Sequence, residues 1–125
     1  MSQGKLVRDK IPEIIRATGE VPHTRVAAGA EYRSLLLAKL SEEVQEFITS
    51  DCDPVELADV LEVVMALADG LGIGQQELER LRAEKAAERG GFSQGIVWSG
   101  NRPAVPVATG MSIASPQGMG LVRTA

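Results

Sequence analysis

One cysteine, one histidine and four aromatic residues are all that this chain of 125 residues carries of those types. Cys52 alone closes no intrachain disulfide and excludes a cysteine-rich zinc site. His23 alone excludes a histidine cluster for metal or triad chemistry, so any bound metal must rest on carboxylates. Tyr32, Phe47, Phe92 and Trp98 make up only 3% of the chain. Sandwiches and barrels lean on aromatic and β-branched residues, so a core of Leu, Val, Ile and Ala points to helices. No long apolar run follows the basic N-terminal residues, which argues against a secretory signal. The apolar stretches end well short of the ~20 residues of a membrane span. A cytoplasmic protein without a membrane partner is expected, and the net charge of −4 argues against a nucleic-acid partner. The length suits one domain with one core.

The distribution of charge says more than its sum. Residues 40–79 hold eleven Asp or Glu and no Lys or Arg. Lys5, Arg8, Lys10, Arg16, Arg25, Arg33 and Lys39 precede this block, and Arg80, Arg82, Lys85 and Arg89 follow it. Crowded carboxylates repel one another, so the pattern is either a solvated acidic surface or a site where cations sit among carboxylates and phosphates meet the flanking bases.

Four helices are expected. Residues 11–16 begin with Pro12 in the first turn and stop at Thr18-Gly19. Residues 30–50 place Leu36, Leu40, Val44 and Phe47 at three- and four-residue steps. Ser50-Asp51-Cys52 is a turn, and Asp53-Pro54 is a cap followed by a first-turn proline, opening a helix that runs to Gly70 or Gly72. The last helix runs from about Gly74 to Arg89 and ends at Gly90-Gly91. Short links between long helices make the fold class all-α, an antiparallel helical bundle. Residues 1–98 form the helical domain. Residues 99–125, with four Gly, three Pro and only Arg102 and Arg123 charged, are expected to be a flexible tail.

Helical geometry turns the acidic residues toward the apolar ones. With Leu36 at zero, Glu43 falls at about −20°, at the edge of a stripe formed by Phe47, Leu40 and Val44, and Glu46 lies about 60° further round. On the next helix Glu56 sits in the middle of the face formed by Val60, Val63 and Leu67, with Asp59 about 60° to one side. Packing these faces brings Glu43, Glu46, Glu56 and Asp59 together, while Glu42 and Glu62 point further toward solvent. Converging buried carboxylates need neutralising. Oxygen ligands suit Mg²⁺ or Mn²⁺, and the alternative is a tilt that leaves the groups hydrated.

Several motifs together resemble one family. Lys5-Leu6-Val7-Arg8-Asp9-Lys10-Ile11-Pro12-Glu13-Ile14-Ile15 is similar to the opening signature of a MazG-like, phosphoribosyl-ATP pyrophosphohydrolase-like group. Glu42-Glu43-Val44-Gln45-Glu46 matches the EExxE motif of the all-α nucleoside triphosphate pyrophosphatases. Glu56-Leu57-Ala58-Asp59 matches their ExxD motif, and Lys85 with Arg89 resembles their KxxxR. Glu88-Arg89-Gly90-Gly91-Phe92 is also similar to this group. The resemblance covers roughly residues 5–98. The interval between the two acidic motifs is short for the wider superfamily and fits its compact members.

The resemblance implies hydrolysis of a nucleotide between its α- and β-phosphates, giving a monophosphate and pyrophosphate. It assigns Mg²⁺, with Mn²⁺ as a substitute, to Glu43, Glu46, Glu56 and Asp59, and proton abstraction from water to Glu42 or Glu43. Arg8, Lys10, Lys85 and Arg89 become phosphate ligands, with Lys5 a weaker candidate. Without the motif, Lys85 and Arg89 read first as surface partners of Glu84 or Glu88. Trp98 either stacks on a base or closes the end of the bundle. Apolar surface on Leu35, Leu37, Leu61 and Val64, like the family's habit, implies a homodimer or a dimer-based tetramer. No side-chain set reads one base, and phosphoribosyl-ATP and nucleoside triphosphates both fit. Two further classes remain open at this point: a nucleotide- or metal-binding regulatory module without turnover, and a helical assembly protein whose acidic stripe is a solvated seam.

Overall fold

A computed structural model describes residues 4–105 and is all-helical, with four helices and no strand among those residues. These are α1 (Ile11–Ala17), α2 (Gly29–Thr49), α3 (Pro54–Gly70) and α4 (Gly74–Arg89). The chain divides into two units, Met1–Gly90, which holds all four helices, and Gly91–Ala125. In the second unit the described residues form neither helix nor strand, and the Trp98 indole donates to Asn101 Oδ1 at 2.8 Å. Most of the expected tail, residues 106–125, lies outside the described residues.

Local chemistry sets the helix ends. At the start of α3 the Asp53 carboxylate accepts from the Val55 N–H at 3.0 Å, and Pro54 occupies a first-turn position where no helical donor is lost. At the end of α2 the Ser50 hydroxyl donates to the Phe47 carbonyl at 2.8 Å and accepts from the Asp53 N–H at 3.1 Å. Between these caps Asp51 and Cys52 both adopt left-handed backbone, with φ of 61° and 64°. That pair reverses the chain within four residues and costs about 1–2 kcal/mol per non-glycine residue. Gly90, with φ of 86°, stops α4 where a side chain would be strained.

The centre of the fold is the α2–α3 hairpin, with α4 packed against α3. Helix α1 makes no substantial packing with the other helices. Leu36 on α2 and Val63 and Ala68 on α3 are the buried apolar residues among those described, and Glu43 is buried with them. Leu35 and Val64 are half-buried, whereas Leu37 and Leu61 are each 53% exposed. Leu37, Val44 and Ile48 share one exposed stripe of α2. Three buried apolar residues make a thin core for a unit of this size. No helix among the described residues is long and apolar enough to cross a membrane.

Two substitutions separate the roles of cap and core. Asp53→Ala is expected to cost about 1 kcal/mol of unfolding free energy. Leu36→Ala is expected to cost about 2–5 kcal/mol, because Leu36 is one of the three apolar residues buried among those described. Urea unfolding followed by circular dichroism measures both.

Candidate functional site

A cleft of about 670 Å³ opens beside the hairpin. One wall is the N-terminal segment, residues 5–11; α2 supplies Tyr32, Leu36, Lys39, Glu43 and Glu46; α3 supplies Glu56, Asp59, Glu62, Val63 and Ala66. The helical angles explain this set. Tyr32, Lys39, Glu43 and Glu46 fall between about −20° and −80° from Leu36 on α2, and Asp59 and Ala66 lie on the same side of Glu56 on α3. The two helices therefore meet along Leu36 and Val63 and leave their carboxylates along one margin of the seam.

Carboxylate oxygens of Glu43, Glu56 and Asp59 lie within 4.8 Å of one another. Oxygens of Glu42, Glu43 and Glu46 form a second group of the same dimension. Glu43 is only 6% exposed, Glu56 and Asp59 are half-buried, and Glu46 is exposed at the cleft wall. The four expected metal ligands thus line one cleft. Glu42 is not part of that lining, although one of its oxygens lies within 4.8 Å of oxygens of Glu43 and Glu46. It lines a smaller adjoining recess with Lys5, Leu6, Leu35, Ala38 and Lys39, and it is half-buried rather than turned out to solvent. Glu62, by contrast, is exposed as its helical position suggests, and it borders the main cleft.

The fixed cations are shared unequally among these acids. Lys39 Nζ lies 2.8 Å from Glu42 and 3.1 Å from Glu43, and Lys5 Nζ lies 3.2 Å from Glu42. Arg8 Nη2 lies 2.6 Å from Asp59 Oδ1. Hydrogen bonds from Lys39 and then Lys5 hold Glu42 below the ordinary carboxylate range. Partial burial pulls the Lys39 amine down, but its bonds to Glu42 and Glu43 outweigh that and leave it raised.

Glu56 has no such partner. Its Oε2 is sealed from solvent with no hydrogen-bond donor. Desolvation first, and then the charges of Asp59, Glu46, Glu43 and Asp53, push its pKa above the ordinary value. An orphaned buried oxygen amid the charges of four other carboxylates is a costly arrangement for a bare protein. It fits a hard divalent cation, because Mg²⁺ and Mn²⁺ prefer carboxylate oxygens and supply the missing charge.

Of the expected phosphate ligands, Arg8 and Lys10 line the cleft. Lys10 has no ionic partner among the described residues. Lys85 and Arg89 are on α4, outside the cleft lining; Lys85 is exposed, and Arg89 Nε lies 3.4 Å from Glu88. Glu84 pairs with Arg80 instead of Lys85. Sequence reasoning missed Lys39 and Tyr32 as cleft residues. The signal for Lys39 was present, since it precedes Glu42 and Glu43 by three and four residues, the spacing at which helical side chains meet.

No family model matches the chain, and no solved structure matches it. A stretch of 47 residues is 51% identical to an uncharacterized protein of Mycolicibacterium smegmatis, covering 38% of this chain and 48% of that protein. The chain therefore matches about half the length of this relative.

The state of Glu56 sets a pH dependence. Folding favours its protonated form, so its contribution is least unfavourable below the ordinary value near 4.5 and becomes destabilising as pH rises through the raised folded-state value. In chelator near neutral pH, Glu56→Gln is expected to melt at a higher temperature than the wild type, and the gap should close toward acid. Added Mg²⁺ should raise the melting temperature of the wild type and raise that of Glu56→Gln far less. Thermal unfolding across a pH series checks both expectations.

Proposed function

We propose that this protein is a Mg²⁺-dependent nucleotide pyrophosphohydrolase that cleaves between the α- and β-phosphates of a nucleoside triphosphate or related nucleotide. The observation that carries the reading is the orphaned Glu56 oxygen, within a carboxylate group that borders a cleft edged by Arg8, Lys10 and Lys39. Acid on one side and base on the other suit a substrate that brings phosphates and a cation together.

In this reading Glu43, Glu46, Glu56 and Asp59 hold Mg²⁺. When bound, Mg²⁺ neutralises phosphate charge and lowers the pKa of a nearby water. The water's oxygen forms the new bond to the α-phosphorus, the bond to the α–β bridging oxygen breaks, and pyrophosphate leaves with that bond's electron pair. Glu43 takes the proton of the attacking water, because it is the member of the Glu42–Glu43 pair that faces the main cleft. Glu42 serves instead to fix Lys39 and Lys5. Arg8 and Lys10 orient the phosphates from the N-terminal wall.

The chain works as a homodimer, or as a tetramer built from dimers. Leu37, Ile48, Leu57 and Leu61 are each more than half exposed on the two helices that build the cleft, and a second copy would remove this surface from water. Such an assembly would also give Lys85 and Arg89 of α4 a route to phosphates held by the partner subunit.

The deciding assay offers nucleoside triphosphates and phosphoribosyl-ATP with Mg²⁺, with Mn²⁺ and with chelator. Monophosphate and pyrophosphate are expected in the presence of metal, with at least a ~100-fold loss in Glu43→Ala plus Glu56→Ala. Metal-dependent stabilisation without turnover on any nucleotide would overturn the enzyme and favour a binding module. Sedimentation should give a dimer or tetramer that Leu37→Glu plus Leu61→Glu reduces to the mass of one chain.

A further inference from the structure

Arg8 stands in an unusual place for a phosphate ligand. Its guanidinium is engaged at 2.6 Å with Asp59, a residue 51 positions away on α3. The segment that carries it has no regular structure before the turn at Asp9 and Lys10. Lys5 ties the same segment to Glu42 on α2. The cation of each pair is largely exposed, 55% for Arg8 and 65% for Lys5, against half-buried acids, so each cation is weakly held.

The unequal sharing of cations then has a direction. A divalent cation drawn to Glu56, one oxygen of which has no partner, also engages Glu43 and Asp59, since carboxylate oxygens of the three residues lie within 4.8 Å of one another. At Asp59 it meets Arg8. Two positive groups compete there for one carboxylate, and the metal carries twice the charge in a smaller radius. Once displaced, the guanidinium remains tethered at the cleft wall, with its donors free for another oxyanion.

We propose that Arg8 is a displaceable counter-ion. It occupies Asp59 while the carboxylates are free of metal, yields that carboxylate to a divalent cation, and then turns to the phosphate oxygens of the incoming polyanion. Metal and anion are thereby coupled through one side chain, and the metal binds first. The inference rests on the reading of the cleft as a metal–nucleotide site and adds an order of events to it. By linkage, a metal that frees Arg8 strengthens anion binding, and a bound anion that retains Arg8 strengthens metal binding by the same factor.

The test separates two affinities in the full chain. Free Mn²⁺ is measured by electron paramagnetic resonance without any anion, and inorganic pyrophosphate is then titrated calorimetrically at saturating Mg²⁺. Arg8→Met removes the competitor, so Mn²⁺ alone should bind about two- to five-fold more tightly, the range an exposed ion pair allows. The same variant lacks the anion contact, so pyrophosphate should bind about tenfold or more weakly. Arg8→Lys should restore part of both effects. Hydrogen–deuterium exchange in residues 5–10 should rise when Mn²⁺ is added to the wild type and fall when pyrophosphate follows. Equal or weaker Mn²⁺ binding by Arg8→Met, or unchanged pyrophosphate binding, would overturn the inference while the metal site stands. A wild type that binds no Mn²⁺ would sink the metal-site reading, and the inference with it.

Discussion

The carboxylate of Glu56 lies against the apolar seam between α2 and α3, and much of the rest of the unit is arranged around that fact. Burying one oxygen without a donor is unfavourable, and the neighbouring charges of Asp59, Glu46 and Glu43 make it more so. The protein offsets part of this repulsion with cations from two sources. Lys39 comes from the same helix as Glu42 and Glu43, whereas Arg8 and Lys5 come from a segment with no helix of its own. None of the three reaches Glu56. The residual imbalance is local and lies at Glu56, a residue that lines the cleft.

The helices were legible in the sequence because their signals are local. Asp53-Pro54 marks the start of α3, and Gly90 marks the end of α4. The convergence of Glu43, Glu46, Glu56 and Asp59 was also legible, since it follows from two helical angles and a short link. Three features were not. The adjoining recess that takes Glu42 depends on where residues 4–6 run, and their path carries no periodicity. The Arg8–Asp59 pair joins positions 51 apart, and no spacing rule connects them. Lys85 and Arg89 were found as a pattern on one helix face, but packing of α4 against α3 keeps them off the cleft.

The thin core and the site share the same two helices. Leu36 and Val63 hold α2 to α3 from within, while Leu37 and Leu61 face outward on those helices. A hairpin that spends part of its seam on carboxylates has less apolar area left for its own cohesion. The exposed leucines and the acidic margin are in this sense two results of one division of the helix surface.

The link between α2 and α3 has a consequence for how this chain can vary. Asp51 and Cys52 turn the backbone through left-handed geometry between the caps at Ser50 and Asp53. One residue inserted into α3 between this turn and Glu56 would rotate the following side chains by about 100° and move them by about 1.5 Å along the axis. That rotation would carry Glu56 and Asp59 away from Glu43 and would take Val63 and Ala68 off the buried seam with them. The turn therefore acts as a length gauge that sets the register of the acidic margin and of the apolar seam together.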